Sequence, residues 1–74
     1  MQSRLMRSQQ RILAALDRRS MDVFDLADIV NLNVGNTDKS LLALCRLGLA
    51  HRMYAEDEAS ITDAGRAALA KEGK

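Results

Sequence analysis

The six residues Asn31-Leu32-Asn33-Val34-Gly35-Asn36 constrain this chain more than any others. Asn and Gly tolerate left-handed backbone, so the stretch is a turn, and Asn33 or Asn36 can cap a helix that starts there. On either side lie segments with helical periodicity, at about 23–31 and about 34–47. In the first, Val23, Leu26, Ala27 and Val30 form an inner face, with Phe24, Asp25 and Asp28 outside; Asp22 stands at the N-cap and Asp25 three residues on. In the second, Thr37, Leu41, Leu44 and, at the margin, Cys45 face inward. Lys39 and Arg46 point away, flanked by Leu42 and Ala43, and Gly48 stands where a helix ends.

Seventy-four residues make one domain whose small core buries only about 60% of the unfolded surface, so self-association would help it. One Phe and one Tyr among 47% apolar residues point to an aliphatic, helical core and leave little for stacking on bases. The periodicity predicts a first helix over about 3–19 with Leu5, Met6, Ile12, Leu13 and Leu16 inward. Arg4, Arg7, Arg11 and Arg18 form an opposite spine within about 60°, either a solvated face or a strip for phosphate or an acidic protein. Beyond Gly48, two short strands over about 49–62 form a hairpin whose turn carries Glu56, Asp57 and Glu58. Thr62 caps a last helix over about 63–72.

The net charge of +1 conceals segregation. Residues 1–20 hold five Arg against one Asp, and residues 21–38 hold four Asp and no base. Residues 39–52 carry Lys39, Arg46 and Arg52, while residues 53–74 hold five acids against three bases. Such patches steer partners more than the total does.

The single Cys45 excludes an internal disulfide, and no apolar run approaches the roughly 18 residues of a membrane span, so a cytoplasmic protein without membrane contact is expected. The first residues lack the apolar run and cleavage site of a secretory signal. A start Met and an intact fourth helix suggest a complete chain rather than a fragment. His51 and Cys45, each the sole residue of its type, supply neither a catalytic set nor the four ligands of a structural zinc, and there is no phosphate-binding glycine loop. No enzyme activity and no cofactor are expected.

Three helices, a tight turn between the second and third, and a hairpin compose a mainly α winged helix-turn-helix: a three-helix core, a two-stranded wing and a C-terminal helix. Leu26-Ala27, Val30, Leu32, Leu41, Leu44 and Gly48-Leu49 fall at the spacing of the MarR (multiple antibiotic resistance regulator) type of bacterial and phage regulators, which the chain resembles. Ile12-Leu13-Ala14-Ala15-Leu16 is similar to that family's first helix, and residues 61–69 are similar to its exit from the wing. The resemblance implies a DNA-binding transcriptional regulator whose third helix enters the major groove of double-stranded DNA. Asn36, Lys39, Ala43 and Arg46 would then face the bases, with Asn33 and Arg52 on the phosphates. A homodimer is expected, since one short domain buries too little for operator-level affinity.

Asp38 near the head of that helix, Asp22, Asp25 and Asp28 on the helix before it, and an acidic wing depart from the family's pattern. They fit an alternative, a protein-binding winged helix such as a phage- or plasmid-type inhibitor or assembly factor. It would meet a basic partner surface through Glu56, Asp57 and Glu58 and through exposed Phe24, Leu42 and Leu47, with Met53 and Tyr54 nearby in sequence. A dimerisation piece of a larger protein is the third possibility.

Overall fold

The computed structural model describes residues 5–53 and 58–72. Helices α1 (Arg7–Arg18), α2 (Val23–Val30) and α3 (Val34–Arg46) precede strands β1 (Ala50–Met53) and β2 (Glu58–Ile61) and helix α4 (Asp63–Glu72). Three packed helices with an antiparallel hairpin behind them are the winged helix-turn-helix expected from the residues. Ile12, Leu13, Leu26, Val30, Leu41 and Leu44 are fully enclosed at the meeting of α1, α2 and α3. Thr37 is buried with them, its hydroxyl donating to the Asn33 carbonyl at 2.9 Å, so its polar group is satisfied within the apolar centre.

The first helix starts later than the periodicity predicts. Arg7 is its first residue, and the Gln9 side-chain carbonyl reaches back to accept from the Met6 backbone N–H at 3.0 Å while Gln10 Nε2 donates to the Leu5 carbonyl at 3.1 Å. With Met6 extended instead of helical, its side chain leaves the inner face and is 67% exposed, whereas Leu5 stays in the core. The other inward residues, Ile12, Leu13 and Leu16, are buried as expected.

The turn between α2 and α3 divides its tasks residue by residue. Asn31 stops α2 in the left-handed conformation (φ 61°), Leu32 N–H closes back on the Ala27 carbonyl at 3.0 Å, and Leu32 packs against the core. Asn33 then starts α3, its Oδ1 accepting from Asn36 N–H at 2.7 Å. The left-handed residue is therefore Asn31, and Gly35 is already helical. A methyl group on Gly35 would meet only Asn33 Oδ1, at an ordinary 3.5 Å. Gly35→Ala is expected to raise stability by about 0.5–1 kcal/mol, read as a higher melting temperature, because alanine restricts the unfolded chain at no steric cost.

In the wing, Ala50 pairs with Ile61, His51 with Ser60, Arg52 with Ala59 and Met53 with Glu58. Glu58 is thus the first residue of β2 and half-buried, not a member of the turn: the register carries the strand one residue further than the acidic run suggests. Tyr54, Glu56 and Asp57 lie outside the described residues. A feature without any sequence signal joins the wing to the helices: Met21 pairs with Ala59, N–H to carbonyl at 3.2 Å in one direction and 2.8 Å in the other. Strand β2 therefore runs between β1 and the segment leading into α2.

Beyond the wing, Thr62 fastens the start of α4 to the end of α3. Its hydroxyl donates to the Gly48 carbonyl at 2.7 Å and accepts from Gly65 N–H at 3.0 Å, and its own N–H donates to the Leu49 carbonyl at 3.2 Å. Gly48 adopts φ 77°, which turns the chain out of α3 into β1. At Gly65 the α4 backbone lies directly on the Leu49 carbonyl.

Candidate nucleic-acid interface

Burial of Thr37, Leu41 and Leu44 fixes the rotation of α3 about its axis. Residues three, four and seven apart share a helix face, so Asn36, Lys39, Ala43 and Arg46 come together on the opposite side, with Leu42 at their edge. Asn36, Lys39, Leu42 and Arg46 are exposed and Ala43 is half-buried. Lys39 and Arg46 stand about 10 Å apart along the axis, the rise of roughly three base pairs. Among the described residues neither cation is in an ion pair. Two of the other expected contacts are differently engaged. Asn33 is committed through Oδ1 to the helix cap, and Arg52 Nη1 donates to Asp38 Oδ1 at 2.7 Å.

The Asp38–Arg52 pair settles the charge at the head of α3. The Arg52 side chain is largely covered while Asp38 stays partly open to solvent, and the pair ties α3 to β1. The acid that counted against nucleic acid is neutralised by the base that was expected to help hold it. Cys45 adjoins both. Burial pushes its thiol up, with Arg52 lowering and Asp38 raising it to smaller extents. Such a thiol holds less thiolate than a free one, so Cys45 is expected to react with iodoacetamide at pH 8 more slowly than an unstructured cysteine peptide, followed by mass spectrometry. A rate equal to the peptide's would contradict the burial described here.

The acids of α2 fall into two groups. Asp22 is its N-cap, accepting from Asp25 N–H at 2.8 Å, whereas Asp25 and Asp28 are exposed. Phe24 and Leu47 are also outward, 62% and 61% exposed, on separate elements. Ile29 on α2, at 53%, and Val34 at the head of α3 join them, and were not singled out in the sequence. The signal for Ile29 was present, since the inner positions Val23, Leu26, Ala27 and Val30 leave it on the outer arc. Among the described residues no cluster of acidic, His and Cys side chains could hold a metal ion, and no helix is long and apolar enough to cross a membrane.

Among solved structures, the adhesin competence repressor AdcR of Streptococcus pyogenes superposes with a TM-score of 0.79 at 16% identity, covering 93% of this chain. This chain spans 55% of the length of that one, and the likeness is one of fold. No family model and no curated protein matches the sequence.

Proposed function

We propose that this chain is a small, sequence-specific DNA-binding transcriptional regulator that acts in the cytoplasm as a homodimer and places α3 in the major groove of double-stranded DNA. The observation that carries the proposal is the outward face of α3, where Lys39 and Arg46 are exposed and unpaired among the described residues while the neighbouring acid, Asp38, is neutralised within the fold. Either cation can meet guanine O6 and N7 or a phosphate, Asn36 can pair with an adenine edge, and Leu42 and Ala43 offer apolar contact to a thymine methyl. The shared fold of a named repressor supports the same function.

The test is fluorescence anisotropy with a labelled duplex from upstream of the protein's own gene, titrated at low and at physiological salt. Saturable binding that survives physiological salt and is competed by the same sequence, but not by random duplex, is the expected result. Absence of binding at low salt, where attraction to phosphate is greatest, would remove the proposal.

A protein-binding role draws support from a different observation, the outward Phe24 and Leu47. Apolar side chains this exposed favour a macromolecular contact when they adjoin. Glu56, Asp57 and Glu58 would supply the acidic complement to a basic partner surface. Under this role the same titration shows no binding at any salt.

A further inference from the structure

The two helices that carry the largest opposite charges lie side by side. Arg11, Ala14, Ala15 and Arg18 of α1 and Ile29 and Val30 of α2 line one shallow, mainly apolar groove. On the α1 side of this seam Arg7, Arg11 and Arg18 form an exposed stripe at helical spacing. On the α2 side Asp25 is one turn from Ile29 on the same ridge, with Asp28 beside it, both exposed. The stripes are adjacent, yet among the described residues no ion pair links α1 to α2. Each stripe keeps its charge unspent, and the seam between them is apolar, with Ile29 half open to solvent.

We infer that this face pairs with the same face of a second copy of the chain, about a two-fold axis running along the seam. That axis sets the arginine stripe of each copy over the partner's Asp25 and Asp28 and brings the two Ile29–Ala14 seams together, so every contact occurs twice. The axis across the seam would set arginine on arginine and is disfavoured by charge, so complementarity selects both the occupant and its orientation. A two-helix face of about 18 by 20 Å, roughly 700 Å² over both copies, is below the size of stable specific interfaces, so the pairing is weak, transient and salt-sensitive. The inference does not rest on DNA binding, although it bears on it: the partner's arginines would offset two of the acids on α2 that oppose approach to phosphate.

Sedimentation equilibrium of the full chain, over about 1–200 µM, tests the pairing. A dimer with a dissociation constant on the order of 10 µM at about 50 mM salt is expected, weakening tenfold or more at about 500 mM. The Arg11→Glu/Arg18→Glu chain and the Asp25→Arg/Asp28→Arg chain are each expected to be monomeric at 100 µM. Mixed one to one, they are expected to form a heterodimer, because each then presents the charges that the other lacks. Circular dichroism establishes whether each variant folds; should one not, Ile29→Lys, an exposed substitution on the seam, serves in its place and is expected to dissociate the dimer. A wild-type chain monomeric at 200 µM in low salt, a dimer unmoved by these reversals, or folded variants that do not combine would each overturn the inference.

Discussion

Gly65→Ala is expected to destabilise the domain by about 3 kcal/mol and to lower its melting temperature by roughly 12–24 °C in a circular dichroism melt. The reason is local and steric. A Cβ built at Gly65 is driven into the Leu49 carbonyl oxygen and comes within 2.8 Å of Ile61 Cγ1. The carbonyl cannot yield cheaply, because it also accepts the Thr62 N–H that fixes the start of α4. Overpacking against backbone forces a shift of the whole helix, unlike overpacking against the end of a flexible side chain. With total stability of roughly 4–11 kcal/mol for a chain of this length, the loss is a large fraction of it. Gly35→Ala is the internal control: the same chemical change at a helical glycine in open surroundings carries the opposite sign. Equal melting temperatures for the two variants would refute the close approach at Gly65.

Joint replacement of Lys39 and Arg46 by alanine is expected to weaken specific DNA binding about thirtyfold or more at physiological salt without altering the helical spectrum. Each side chain offers about 1–3 kcal/mol if it reads a base, and neither contributes to the core, so fold and affinity separate cleanly. The salt dependence distinguishes their roles. If both meet phosphates, the slope of log K against log salt becomes shallower by about two and binding falls for all sequences alike; if they read guanine, discrimination against random duplex collapses instead. Arg46→Lys refines the result, since lysine keeps the charge but lacks the planar fork for bidentate contact. Unchanged affinity in the double variant would exclude α3 as the reading element.

The features legible in the sequence were those set by local chemistry. Asp22 and Thr62 could be placed as helix caps because short polar side chains at a helix start have few other uses, and both make those bonds. The outward positions of Phe24, Lys39, Leu42 and Arg46 followed from helical periodicity alone. What escaped was set by contact between distant segments. Arg52 was expected to hold phosphate, and its engagement with Asp38, fourteen residues away, depends on how β1 returns along α3. Gly65 gave the one local hint, a glycine inside a helix pattern, whose cause is a backbone approach that no periodicity encodes. Met6 was misplaced because α1 starts at Arg7, where the Gln9 side chain accepts from the Met6 N–H and holds Met6 outside the helix.

The pairing of Met21 with Ala59 gives the domain a mechanical property. An isolated two-stranded hairpin is marginally stable in water, so the wing borrows its rigidity from the extended residue ahead of α2. Met21 and Ala59 are both buried, and their mutual hydrogen bonds cannot break without opening the centre of the fold. The wing is therefore not a flap on a hinge. The short lead from the end of α1 to Met21 thus fixes where β2 lies relative to the first helix.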